Sequence, residues 1–467
     1  MSQPGTAEAP PLRAPIHRIR EWTLIAVLAW APLPFGSARP WAWDLLGMIA
    51  ILLLGLSAVY EAGKPSRQGA LRPLLPALAM AGLLTAWVLF QSLPLGWHHP
   101  VWDQASEVLG RKLDGALSID PEASLVRLFR LLTYGAYFII AWQTARGAEG
   151  AGAILRAVAL IGTVYAIYGL IEFVSPDPRI LWFIKNVYAT DVTSTFVNRN
   201  SYATFAGLAA VANLALIANV LIRNTDPRSR KSIFLSMADN LFGRARWWVF
   251  GLIATSGSLL MSHSRGGLIS VLAGVFVLLI LILMAPAARG PWRGWFAGIV
   301  GIGGIAILLL TGATTFDRLD SLSHDTEMRP KIDAALLRAI GDNDLTGTGL
   351  GSFAEIFPLY QPLTVVGFID LAHDDYLENA LELGVPAACL LFGAVLYLAG
   401  RCLAGVFRRR RDVIYPCAAV AATVLIGVHS ALDFSMQIPA VAVTYAVLLG
   451  VGVAQSINSR PTTGPAS

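Results

Sequence analysis

The chain has 467 residues, of which 55% are hydrophobic and only 14% charged, with a formal net charge of +5 and a mean hydropathy of +0.60. A soluble domain carries about a quarter charged residues, so there is too little polar material here to coat a soluble fold. In a soluble protein the pI of about 9.2 would suggest nucleic acid. Here the basic residues lie in short loops between apolar blocks, so positive-inside topology accounts for them and no nucleic-acid partner is expected.

Residues 1–20 read as a cytoplasmic tail that is Pro-rich and ends in the basic run His17-Arg18-Ile19-Arg20. The run resembles a signal-peptide n-region. No small-residue cleavage site clearly follows, and many apolar blocks do, so the block from Trp22 reads as a retained first span. The blocks have the ~20-residue length that crosses a bilayer as helix. They predict an all-α polytopic membrane protein with about 12 spans, at 21–38, 42–60, 73–95, 125–142, 152–174, 199–222, 247–263, 266–285, 296–313, 379–399, 414–431 and 437–455. The first is interrupted by Pro32 and Pro34, which is tolerable where neighbouring helices re-satisfy the backbone. The organisation expected is spans one to nine over 21–313, a large outer loop over 314–378, spans ten to twelve over 379–455 and a cytoplasmic tail over 456–467.

Lys64, Arg67, Arg72, Arg146, the group from Arg223 to Arg246, Arg289, Arg293 and the run Arg408–Arg411 all fall on one side of these spans, with Arg13, Arg18 and Arg20. That side is assigned to the cytoplasm, and Arg408–Arg411 reads as a topology anchor ahead of a lipid- or nucleic-acid-binding site. The other side receives loops at about 96–124, 175–198 and 314–378. The last has helical pattern at Ile332, Ala335, Leu336 and Ile340, with Gly341 as a natural stop. Cys389, Cys402 and Cys417 show no pairing pattern and no metal spacing.

Four polar segments map to the outer side. Ser262-His263-Ser264-Arg265-Gly266-Gly267 joins two apolar blocks through a tight turn. An Arg at the membrane edge is costly and points to function, here an anion site suited to bidentate phosphate contacts. An Arg that snorkels to the interface is the competing reading. Met328-Arg329-Pro330-Lys331 precedes the loop helix, and Gly347-Thr348-Gly349-Leu350-Gly351 follows it. These glycines lack the Lys-Ser/Thr ending of a P-loop, so a structural turn competes with a phosphate cradle. His373-Asp374-Asp375-Tyr376-Leu377-Glu378 enters a span from outside. Neutral His is a usable general base near pH 7, and a polar helix start with an incidental His is the bland alternative. A glycosidase pair among Asp374, Asp375 and Glu378 is a poor fit, because neighbours on one helix turn do not flank a sugar. Two adjacent carboxylates are too little to claim a metal. Asn198-Arg199-Asn200 opens a span from outside, as a cap or as a ligand site.

Ser264-Arg265-Gly266-Gly267, Gly347-x-Gly-Leu-Gly-x-Phe353, and His373-Asp374-Asp375-Tyr376-Leu377 followed by Glu382-Leu383-Gly384 occur in the order seen in the O-antigen ligase and polymerase superfamily. Phe196-x-Asn198-x-Asn200 and Pro34-Phe35-Gly36 with Pro40-Trp41 resemble the same family, over roughly residues 20–455. The resemblance implies a GT-C-type glycosyltransferase of the bacterial inner membrane, working on its periplasmic face. Its donor would be a glycan on undecaprenyl diphosphate and its acceptor a glycan or lipid A–core. It implies a metal-independent, inverting transfer with no cofactor, alongside a flippase and a chain-length regulator. By position it implies catalytic roles for His373, Arg265 and Arg329. Asn198, Arg199, Asn200, Ser264, Gly349, Asp374 and Tyr376 are the matching substrate-binding positions. The segment Phe196-Val197-Asn198-Arg199-Asn200 and the tail His429-Ser430-Ala431-Leu432-Asp433-Phe434 with Ile438-Pro439-Ala440 resemble polysaccharide-producing members more than lipopolysaccharide ligases, which favours a polymerase of exopolysaccharide or O-antigen. A flippase of lipid-linked glycans is the alternative, although no repeated halves are visible.

Overall fold

A computed structural model describes residues 15–62, 71–224, 233–290, 292–298, 300–303 and 323–457. Much of both expected tails, the second half of the expected ninth span and the start of the large outer loop lie outside the described residues. The described chain is helical, with one short hairpin, β1 (Arg179–Ile180) and β2 (Phe183–Ile184). The first helices are α1 (Pro15–Trp30), α2 (Pro40–Ala62), α3 (Leu75–Ser92), the short α4 (Val101–Leu109), α5 (Pro121–Thr144) and α6 (Ala148–Phe173). Then come α7 (Arg199–Asn224), α8 (Ile233–Asp239), α9 (Arg246–Met261) and α10 (Arg265–Met284). The segment between α10 and the last spans holds α11 (Ser323–Asp342), α12 (Phe353–Ile356) and α13 (Asp375–Leu383), followed by α14 (Val385–Arg408), α15 (Ile414–Ser430) and α16 (Pro439–Ile457).

Eight of the described helices are long and apolar enough to cross a membrane, and Ile414–Ser430 is a shorter apolar one. The chain is therefore a multi-pass helical membrane protein. Three boundaries differ from the sequence expectation. The first helix ends at Trp30 and not near residue 38, because Pro32 and Pro34 lack the N–H that a continuing helix needs; the chain turns there through Phe35–Ser37. The span expected to begin near 379 is divided, with α13 ending at Gly384, whose φ of +79° is left-handed, and α14 starting at Val385. The loop helix runs through both Pro330 and Gly341. Pro330 lies on its exposed side, where water can satisfy the carbonyl that the proline leaves unpaired, and the helix stops at Asn343, whose N–H bonds Ile340 O.

Small residues set the packing. In lipid the drive for helices to associate is close fit rather than burial from water, so interfaces favour Gly and Ala. α7 and α16 are the most buried spans, and α7 buries seven alanines, among them Ala203, Ala206 and Ala209. A Cβ placed on Gly162 would lie 2.1 Å from Ala209 Cβ, and one on Gly450 would lie 2.5 Å from Phe138 O. The second contact is backbone and cannot give way. Gly450→Val is expected to destabilise by about 1–3 kcal/mol through overpacking, read as a lower thermal midpoint in detergent. An unchanged midpoint would mean that α5 and α16 pack more loosely.

The polar loops gather at one end of the bundle. Ile332, Leu336, Phe353, Phe357, Val365 and Leu381 form a second apolar core there, joined by Val101 and Ile119. Within this small cap the Gly-rich turn is fastened to α13, Thr348 N donating to Leu381 O at 3.0 Å and Gly349 N to Glu382 O at 2.9 Å, and Gln91 Nε2 of α3 ties it to the spans by donating to Thr346 O at 2.6 Å.

Candidate active site

His373 sits just before α13 with φ +57°, a conformation rare outside Gly, Asn, Asp and His, and one that marks functional positions. The surroundings hold it there. Its Nδ1 lies 3.0 Å from Asp433 Oδ1, and its ring meets Phe434 edge-on at 4.9 Å. The imidazole is 39% exposed while Asp433 is 2% exposed, so the carboxylate sits behind the ring. Burial raises the Asp433 carboxyl, but the hydrogen bond and charge of His373 outweigh it and hold it below the usual range. An ionised Asp433 accepts from Nδ1–H, which fixes the tautomer that leaves Nε2 unprotonated.

Asp433 is a junction. Its Oδ1 also accepts from Phe434 N at 2.8 Å, and its Oδ2 accepts from Asn200 Nδ2. Asn200 Oδ1 in turn accepts from Ser264 Oγ at 2.8 Å. Ser264 caps α10, accepting from Gly267 N at 3.1 Å, as a Ser at a helix start does. Four segments distant in sequence are therefore joined in one hydrogen-bonded line: His373, Asp433, Asn200, Ser264.

The two arginines flank that line. Arg265 is the first residue of α10, directly after Ser264. It is half-buried, and no described residue pairs with its guanidinium. It stands at the positive end of a helix dipole, where an anion is favoured. Arg329, exposed on α11, donates to Leu432 O at 2.9 Å, one residue before Asp433. Asp333, one turn further along, is raised by burial and then by Asp374, with Arg329 opposing.

The other expected positions are mostly engaged in the fold. Asn198 Oδ1 accepts from Asn200 N at 2.7 Å. Arg199 NH1 donates to Asp191 Oδ2 at 2.8 Å. Asp374 caps α13, accepting from Tyr376 N and Leu377 N at 2.8 and 2.9 Å. Tyr376 OH donates to Gly427 O at 2.8 Å, fastening α13 to α15. Gly349 packs its Cα against Ser118, and its N–H is used by Glu382 O. The Gly-rich segment is built into the cap as a turn. Asp433 was noted in the sequence only within the tail motif, and its pairing with His373 depends on a separation of 60 residues. Asp191, which holds both Arg199 and His263 Nδ1 at 2.7 Å, carried no motif. His429 is buried at 1% with both ring nitrogens unpartnered among the described residues.

Below His373 lies a buried acidic row on α13. Burial pushes the Asp375 carboxyl up to about 8, and the Glu378 charge adds to this. Burial also raises Glu378 and Glu382, with Arg127 opposing both. Gln437 Nε2 donates to Glu378 Oε1 at 2.7 Å, and Ser430 Oγ to Asp375 Oδ2 at 2.9 Å. Asp375 therefore holds its proton in the folded state at pH values where the unfolded chain has lost it. Stability is fully present below the unfolded value near 4 and falls as pH rises through that window to about 8. Thermal midpoints between pH 5 and 8 are expected to fall more steeply in the native chain than in Asp375→Asn; equal slopes would contradict this.

Residues 250–392 match the family model described as O-Antigen ligase. That segment is similar to O-antigen ligases. The match supports its place in the O-antigen ligase/polymerase superfamily, and with it a membrane role in O-antigen or related polysaccharide biosynthesis. A comparison with curated proteins finds no match. The matched segment contains Ser264, Arg265, Arg329 and His373. Asn200 and Asp433 lie outside it, yet the fold brings both into the same hydrogen-bonded line. The family implies an enzyme that joins glycans, with a lipid-linked donor and a glycan acceptor.

Proposed function

We propose that the chain is an inverting, metal-independent glycosyltransferase of the GT-C type. It has about 12 spans in a bacterial inner membrane and transfers glycan from undecaprenyl diphosphate on the periplasmic face. The observation that carries this reading is the line from His373 through Asp433 and Asn200 to Ser264, flanked by Arg265 and Arg329. It offers a base and two cations at the end of the bundle away from Arg223 and Arg408–Arg411, the end that positive-inside topology places outside.

The chemistry follows from the donor. A sugar on a lipid diphosphate leaves as a stable anion, so the leaving group needs charge neutralisation and no proton. Arg265, at a helix N-terminus and without a partner among the described residues, supplies it together with Arg329, and both strengthen as negative charge develops. The attacking hydroxyl must lose its proton. His373 Nε2 takes it, and Asp433 stabilises the imidazolium through Nδ1. The oxygen forms the new bond to the anomeric carbon as the carbon–phosphate-oxygen bond breaks, and attack from the opposite face inverts the configuration. Between polymerase and ligase, the tail from His429 to Ala440 favours a polymerase of O-antigen or exopolysaccharide. A donor used on the outer face requires a flippase to deliver it, and a polymerase works beside a chain-length regulator.

The test is the product of purified protein given lipid-linked repeat units in EDTA. An extended glycan whose new linkage is inverted at the anomeric carbon by NMR is expected. Retention of configuration, or activity abolished by EDTA and restored by a divalent ion, would overturn the proposed chemistry.

A further inference from the structure

At the end of the bundle opposite His373 the described residues line an open pocket of about 370 Å³, with Arg410 and Arg411 exposed at its mouth. α7 places Asn200 in the candidate site and Arg223 at this cavity, about 35 Å away at the rise of a helix. The cavity is lined by Ile222 and Arg223 from the end of α7, Ala287 after α10, and Arg410, Arg411 and Ile414 at the start of α15. Its volume is in the range of small-ligand pockets.

The lining charge is unbalanced. Asp412 is its acidic residue among the described ones, and Asp412 Oδ1 is already paired with Arg223 NH2 at 2.5 Å. The Arg410 and Arg411 guanidinium groups pair with no described residue. α15 begins at the same place with no side-chain cap, so the helix end adds partial positive charge to the arginines. Asp412 has φ +55°, which bends the chain so that consecutive arginines face one cavity. Positive-inside topology explains why arginines lie at this end. It does not explain why they line a cavity with apolar walls from Ile222, Ala287, Val413 and Ile414. Basic pockets between spans with such mixed walls suit a phosphate carried on an apolar body.

We propose that this cavity binds a phosphate group, held by Arg410 and Arg411 and presented by the headgroup of an anionic phospholipid from the adjacent leaflet. The site is separate from the catalytic reading and does not depend on it. A phosphodiester accepts from both guanidinium forks, and the glycerol end lies on the apolar wall.

The test uses the full chain in nanodiscs of phosphatidylcholine, with phosphatidylglycerol or inorganic phosphate added in separate arms. Bound lipid is read by native mass spectrometry and stability by thermal midpoint. Phosphatidylglycerol is expected to raise the midpoint, and Arg410→Gln with Arg411→Gln to weaken its binding at least tenfold. Arg72→Gln with Arg408→Gln, which removes equal charge outside the cavity, is expected to leave binding unchanged. Should the double variant not fold, Arg410→Gln alone is expected to weaken binding severalfold. Stabilisation by inorganic phosphate that needs Arg410 and Arg411 would support the site with a soluble source. No stabilisation in either arm, or an equal loss in the control pair, would overturn it.

Discussion

His373→Ala is expected to lower kcat for glycan transfer by about 10²–10⁴, the usual worth of a positioned general base. KM for the lipid-linked donor should change little, because in the proposed mechanism the imidazole acts on the acceptor hydroxyl. The expectation rests on geometry. The ring is held in a left-handed backbone position, backed by a buried carboxylate at 3.0 Å, and open on its other side. Asp433→Asn should preserve the packing against Phe434 and still lose much of the rate, since an amide can present the wrong hydrogen-bonding group to Nδ1. Steady-state kinetics of the two variants separate this from a structural role. A structural role would lower the folded fraction of both and leave the kcat of the folded protein intact.

Arg265→Ala is expected to lower kcat/KM for the donor by about 10²–10³, the effect of deleting one group that stabilises developing charge. The side chain has no partner among the described residues, so its removal breaks no ion pair among them and should change stability by no more than about 0.5 kcal/mol. Arg265→Lys should recover only part of the activity, because a point charge does not reproduce the bidentate fork. Arg329→Ala should cost less, since that side chain is exposed and already donates to Leu432 O. Full activity in Arg265→Ala would remove it from the leaving-group site.

Eight of the expected spans were legible in the sequence, because twenty-residue apolar blocks have few alternatives to a membrane helix. What misplaced their ends was local. Pro32 and Pro34 shortened the first helix, and Gly384 divided the tenth span into α13 and α14. Pro330 and Gly341 read as boundaries and are interior to α11, because packing of Ile332, Ala335, Leu336 and Ala339 into the cap core overrides a local preference.

The candidate site was legible by residue type but not by connection, and its roles remain proposals. Arg265, Arg329 and His373 stood out as polar groups in an apolar chain. Asp433 did not, since one carboxylate after a span looks like any helix end. Its meaning comes from Asn200 and His373, which lie 233 and 60 residues away. Asp374 and Tyr376 show the converse. They sit beside His373 in sequence, yet their hydrogen bonds build the helix start and anchor it to Gly427. Proximity in sequence to a reactive group did not distinguish a ligand position from a cap.

The most direct measurement is made in proteoliposomes loaded with a lipid-linked glycan and an acceptor, following glycosidic bond formation and glycan sidedness together. The account predicts one lipid diphosphate released for each new bond, with both products absent in His373→Ala. Movement of the lipid-linked glycan across the bilayer without bond formation, undiminished in His373→Ala and Arg265→Ala, would contradict it and make the chain a transporter.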